Sequence, residues 1–464
     1  MDEIRFIAAS GSLGSGVHEP SLREALTHRP HFIAADAGTT DAGPAALGSG
    51  VPAYSRVSVR SDLARVLAAG HAAGVPVIIG SAGTAGADAH VDWTLAILRE
   101  VCAELRLPRT VGVLRCEQSP DYLAGLLAAG RIRPIEPAPA IDEATIRRSR
   151  VVGMMGVEPI QHALRAGVDV VLAGRSSDSA LYAAIPIAEG FPEALAWMVG
   201  KIVECNTMAC VTSGPGVLLA TMRHDSALIT PVGPGLRCTP QSVAAHTLYE
   251  NADPYLFHES SGVLELQKAA YEAEGEVSVR ISGPTFTRSD AYSVKLEGAE
   301  LAGYSTVLIG GIRDPFILAR LDDWLAGVLG HIRKSVKAVL GVGPDGYALA
   351  VHAYGRDAVM GAAEPERGAP PREVGIVFEV LAPDQHLATE IAKASRQPFL
   401  HFPVPGWSGA ISTIAYLHNP PQLERGPVYR FNLHHVALPE TELEMFRLEV
   451  LHVDGAVAVG SSVG

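Results

Sequence analysis

Val75-Pro76-Val77-Ile78-Ile79-Gly80-Ser81-Ala82-Gly83-Thr84-Ala85-Gly86-Ala87-Asp88-Ala89-His90-Val91-Asp92, continued by an amphipathic run to Leu105, is the stretch that decides the fold. A β-branched apolar run ends in glycines and small polar residues, and a 3.6-residue period then takes over. That is one strand–loop–helix unit.

The same rhythm fills the first 215 residues. Further strands are expected at Ile4–Ala8, His31–Ala35, Thr110–Arg115, Arg131–Ile135, Val151–Met155 and Val168–Ala173. Helices are expected at Ser61–Ala73, Pro120–Ala129, Asp142–Arg148, Glu158–Ala166 and Asp178–Glu189. Ser61 and Asp142 qualify as N-caps, since their side-chain oxygens accept otherwise unpaired helix N–H groups. Gly74, Gly130 and Gly167 stand where helices close with a left-handed residue. Apolar strands alternating with helices specify an α/β fold, with a mostly parallel, doubly wound sheet over residues 1–215.

After a helical run Glu193–Ala209 and Gly214-Pro215-Gly216, the texture changes. Strands at Val217–Thr221, Val277–Ile281, Tyr304–Gly310 and Glu373–Val380 lack regular intervening helices. Phe316–Lys337 reads as one long helix and Arg356–Arg372 as an exposed loop. Residues 216–464 are therefore expected to form an α+β part that completes the cleft. At 464 residues the chain exceeds the roughly 100–200 residues of one domain.

Composition narrows the function. The net charge of −13, from 37 basic and 50 acidic residues, repels polyanions, so nucleic acid is not an expected partner. Arg147-Arg148-Ser149-Arg150 and His331-Ile332-Arg333-Lys334 are short and fit helix ends. No apolar run reaches the roughly 18–20 residues of a membrane span, and the start lacks a signal-peptide pattern. Five cysteines without a CxxC pair suit neither a disulfide framework nor a zinc site, and point to the reducing cytoplasm. The 48% hydrophobic content implies self-association or a partner.

Ligands of a parallel sheet bind beyond the carboxyl ends of the strands, which selects the loops that follow them. Ser10-Gly11-Ser12-Leu13-Gly14-Ser15-Gly16 is an anion cradle or a plain turn; it is neither GxGxxG nor a Walker loop. Asp36, Thr39, Thr40 and Asp41 follow the second strand. Ser81, Gly83 and Thr84 follow the third, then Asp88, His90 and Asp92, which would share one side of an extended segment. Carboxylate–imidazole–carboxylate serves proton transfer or a divalent metal, with Asp36, Asp88 and His90 as ligands, unless Asp88 or Asp92 simply caps the next helix. Glu117 and Glu158 follow later strands, where an acid also favours the helix dipole. Arg175-Ser176-Ser177-Asp178 offers a guanidinium and hydroxyls to a substrate carboxylate. Lys201 and Glu204, three apart on a helix, read as a surface ion pair. His246, Glu250, Asn251, Asp253, His258 and Glu259 are the densest later polar cluster, and Gly310–Pro315 with Pro405–Gly409 are turn-like segments suited to close a cleft. Neither GxSxG nor HExxH occurs.

These loops resemble the acyclic terpene utilisation AtuA-like family. The resemblance rests on Ala35–Pro44 with Leu47-Gly48-Ser49-Gly50, on Ile79–Trp93 and on Ala173–Asp178, and later on Cys238-Thr239-Pro240, Glu250–Pro254 and Gly426–His435. It implies catabolism of a carboxylate or of a coenzyme A thioester, and in many members a separate small companion protein. It assigns no catalytic residue. Three readings follow. The first is a lyase or isomerase in which Asp36, Asp88, His90 and Glu117 move protons beside a carbonyl. The second is a thioester hydrolase or transferase with Ser81, Ser176 or Cys205 as nucleophile. The third is a non-catalytic binding subunit.

Overall fold

The computed structural model describes residues 1–455 except 370, 405, 409 and 410. Two compact units divide the chain: Met1–Glu300 with Arg430–Gly464, and Leu301–Tyr429.

In the first unit the strands are β1 (Ile4–Ser10), β2 (Phe32–Gly38), β3 (Val77–Thr84), β4 (Arg109–Arg115), β5 (Ile132–Pro134), β6 (Ser149–Gly153), β7 (Val170–Ala173), β8 (Val217–Met222) and β9 (Ser226–Val232). The helices are α1 (Glu19–Leu26), α2 (Ala45–Ser49), α3 (Arg56–Ala73), α4 (Asp88–Leu105), α5 (Pro120–Ala128), α6 (Glu143–Arg148), α7 (Val157–Arg165), α8 (Ala180–Ala188), α9 (Glu193–Val203) and α10 (Pro240–Thr247). Gly74, Gly130 and Gly167 take positive φ of 66°, 69° and 75° at helix ends, and Asp142 accepts the Thr145 amide as an N-cap. Ser61 is interior to α3; Ser55 caps that helix instead, accepting the Ser58 amide.

Ten strands form one sheet in the order Ala270–Glu274, Ser278–Ser282, β9, β8, β1, β2, β3, β7, β4, Arg447–Val453. Its centre is parallel, with Phe6 opposite Phe32, Ile33 opposite Val77, Ile78 opposite Val171 and Val113 opposite Leu172. Both flanks are antiparallel, so the sheet is mixed rather than mostly parallel. The three residues 223–225 between β8 and β9 are too few for a crossover and impose a hairpin. Because β8 pairs with β1, the division expected at residue 215 does not coincide with the compact units. Alternate residues feed two cores. Phe6 and Phe32, stacked at 4.6 Å, join residues of α7, α8 and α9, whereas Ile7 and Ile33 join residues of α3 and α4. Each such buried side chain contributes about 1.5–3 kcal/mol. β5 and β6 lie outside this sheet, pairing with residues 435–437 and 296–300.

In the second unit, residues 304–312 and Ala348–Tyr354 flank Val374–Ala382 in antiparallel register. Trp324 of Leu321–Leu340 and Phe399 of Gln385–His401 pack with Phe378, so that helices cover the antiparallel strands. The single helix expected at Phe316–Lys337 is two, Pro315–Leu318 and Leu321–Leu340. Pro405 and Gly409 of the turn-like segment lie outside the described residues. No helix among the described residues is long and apolar enough to cross a membrane.

Candidate active site

Beyond the carboxyl ends of β1, β2 and β7 lies a cavity of about 920 Å³. Its wall combines Ser10–Ser12 at the end of β1, Asp36 and Gly38–Asp41 at the end of β2, Arg175 and Asp178 after β7, and Glu204–Met208 where α9 ends, together with Ser213–Gly216 and Glu250. Asp36 and Arg175 thus share one rim. Gly11 is required, since a Cβ there would sit 2.9 Å from the Cys205 backbone.

Asp36 closes β2. One carboxyl oxygen accepts the Ala37 amide at 2.8 Å and the Gly38 amide at 3.2 Å. Only 2% exposed, its carboxyl is held well above the usual range by burial and by Asp178, against the pull of Arg175. Asp178 faces the cavity and is also raised by desolvation. Glu204 ends α9. It accepts Lys201 Nζ at 2.6 Å and Ser179 Oγ at 2.8 Å, and burial pushes it up to about 7 although Lys201 opposes. The Lys201–Glu204 pair expected at the surface is therefore buried. Behind the wall, Ser177 Oγ donates to Glu259 at 2.7 Å, and burial pushes that carboxyl up to about 8.

Two expected anion receptors are already engaged. Arg175 donates through Nε to Glu297 at 2.9 Å, through Nη2 to its other oxygen at 3.3 Å, and through Nη1 to Ser81 Oγ at 3.1 Å; Asp178 stands 3.5 Å away. The guanidinium serves carboxylates of the protein itself, not a substrate. In the glycine loop, Asp62 accepts the amides of Gly14, Gly16 and Val17 at 2.8, 3.0 and 2.8 Å. That cradle holds an internal anion.

The remaining predicted residues are elsewhere. Asp88, His90 and Asp92 are helical, not extended, so His90 turns away from the two acids. Asp88 pairs with Arg447 at 2.6 Å and Asp92 with Arg115 at 2.7 Å. Glu117 accepts the Asp88 amide at 2.9 Å and lies 3.4 Å from Arg150. His90 is fully buried, with Nδ1 accepting the Ala87 amide at 3.2 Å, and burial pushes it down to about 4. The metal set Asp36, Asp88 and His90 is not assembled, and among the described residues no group of three or more His, Cys, Asp or Glu is placed to hold an ion. Ser81, Thr84, Ser176 and Ser177 are buried and Gly83 lies in β3 with a φ of 62°; of this set only Asp36, Thr39, Thr40 and Arg175 line the cavity. Ser81 Oγ reaches only Ser176 and Arg175, without a base, and the Cys205 thiol is pushed up to about 12 by burial. No activated nucleophile results.

Glu204 is the cavity residue that sequence reasoning misplaced. The signal was present: Leu195, Trp197, Met198, Val199, Ile202 and Val203 leave α9 no solvent face, so charges beside them are interior.

No curated protein and no solved structure matches the chain. Residues 34–415 match the acyclic terpene utilisation family protein AtuA, a span that holds Asp36, Arg175, Asp178, Glu204 and Glu250, and the chain belongs to that family.

Proposed function

We propose that the chain is an enzyme that moves a proton beside the carbonyl of an acyl thioester of coenzyme A, in the sense of a hydro-lyase or an isomerase. The observation that carries this reading is the set of five carboxyl groups around the cavity, Asp36, Asp41, Asp178, Glu204 and Glu250, whose neighbouring cations Arg175 and Lys201 are both engaged. The hydrogen on the carbon beside a thioester carbonyl is far more acidic than the one beside a free carboxylate, so carboxyl groups with raised pKa can take it up and return it. Glu204 gains and loses a proton near neutrality and is assigned proton transfer at carbon. Asp36, whose carboxyl burial holds well above the usual range, is assigned as the donor to the carbonyl oxygen or to a departing hydroxyl. The sheet is used as in a doubly wound fold, with ligands at the carboxyl rim. A cytoplasmic location, self-association and a small companion subunit belong to the same reading.

The test is deuterium exchange. In D2O, branched short-chain acyl thioesters of coenzyme A should gain mass at the carbon beside the carbonyl, and the matching free acids should not. Exchange absent from the thioesters, or equal in the acids, overturns the reading.

A further inference from the structure

Cys210 and Cys238 are free thiols, 6% and 3% exposed, and their Sγ atoms lie 3.8 Å apart. Cys210 follows the turn Asn206–Ala209, and Cys238 directly precedes Thr239, the N-cap of α10. The two segments run side by side, because the Val211 amide donates to the Arg237 carbonyl at 2.9 Å. A disulfide needs sulfurs about 2.05 Å apart. Forming the bond therefore requires the two sulfurs to approach by about 1.7 Å. Between the two cysteines the chain passes through Ser213–Gly216, part of the cavity wall.

We propose that Cys210 and Cys238 form a reversible disulfide on reaction with a hydroperoxide, and that this bond fastens the cavity wall at Ser213–Gly216. The hydrogen bond from Cys238 holds the Cys210 thiol below its ordinary range and raises Cys238, so Cys210 reacts first. Its thiolate attacks one oxygen of hydrogen peroxide, the O–O bond breaks, and the departing hydroxide takes the proton that the thiol gave up, so that a sulfenic acid and water form. The Cys238 sulfur then attacks the Cys210 sulfur, the S–O bond breaks, and hydroxide leaves with the thiol proton as a second water. Two thiols are oxidised and one peroxide is reduced. Burial raises the thiols of Cys102, Cys116 and Cys205, which directs the reaction to this pair. The inference rests on the cavity wall alone and not on the reaction assigned to it.

The folded protein is treated with hydrogen peroxide, alkylated and mapped by mass spectrometry without reduction. We expect a peptide linking Cys210 to Cys238, lighter by two hydrogens and restored by dithiothreitol. Hydrogen exchange at 211–216 should slow in the oxidised form. Cys210→Ser and Cys238→Ala should each abolish the link, while the mapping itself is read on the unsubstituted chain and does not depend on either variant folding. A link through Cys205, a link that forms only in urea, or unlinked Cys210 and Cys238 when Cys205 is already oxidised overturns the site. Unchanged exchange at 211–216 overturns the fastening.

Discussion

The start of α4 and the cavity wall carry the same residue types in different surroundings. Asp88, Asp92 and Glu117 each meet an arginine, and in each pair at least one partner reaches water: Arg447 is 64% exposed and Asp92 62%. Such pairs are worth about 0–1 kcal/mol and hold a helix end in place. Asp36, Glu204 and Glu259 are almost wholly buried, and burial lifts all three carboxyls. The difference teaches that the density of acids in a loop says little about chemistry, whereas the water each acid loses says much.

The comparison breaks first at the wall. Asp36→Asn or Glu204→Gln should lower turnover of the thioester by about 10²–10⁴-fold. Asp36→Asn should shift melting little, since Arg175 keeps Glu297, whereas Glu204→Gln leaves the buried Lys201 ammonium without its anion and should also lower melting; turnover of Asp36→Asn near that of the unsubstituted chain would show the wall to be as structural as the α4 start. Arg175→Met should act on stability, because it strips Glu297 of its bidentate partner inside the protein. A loss of about 3–5 kcal/mol in chemical denaturation is expected.

The pH response of Glu259 sharpens the contrast. Its folded pKa lies above the unfolded one, so the folded state holds a proton that the unfolded state has released, and stability falls as pH rises toward about 8. His90 and His246, pushed down to about 4, act oppositely, but only below their unfolded value of about 6.5. Between pH 7 and 8 the histidines are neutral in both states. There Glu259→Gln should remove a downward slope of up to about 1.4 kcal/mol per pH unit, read from urea midpoints. Identical slopes in the two proteins would mean that the acid is already ionised. The smallest effect belongs to Asp88→Asn, which should cost under about 1 kcal/mol and leave turnover unchanged. A large loss of turnover there would restore the α4 start to the site.

The parallel centre was legible because each of its strands is a short apolar run closed by small residues and followed by a helix, as at Val77–Thr84 and α4. The flanks were not. Val217–Met222 reads plainly as a strand, but its partner β1 lies more than 200 residues earlier and leaves no mark on the local pattern. The site divides in the same way. Asp36 and Arg175 follow from strand ends, a local property. That Glu297 engages Arg175 from 122 residues away, and that Asp62 takes the glycine-loop amides across 45–48 residues, are long-range pairings invisible to spacing. Glu204 was misjudged for another reason: spacing along a helix gives neighbours, not depth.

The last strand of the large sheet has a consequence for synthesis. Arg447–Val453 covers the outer edge of β4, with Arg447 opposite Arg115. A growing chain has the open edge of β4 ready more than 300 residues before its cover exists. At about 5–20 residues per second, that edge waits roughly 17–66 s on the ribosome. Unpaired strand edges invite other chains. Nascent copies on one messenger are thus exposed to mispairing for most of their elongation, and slower translation lengthens that exposure.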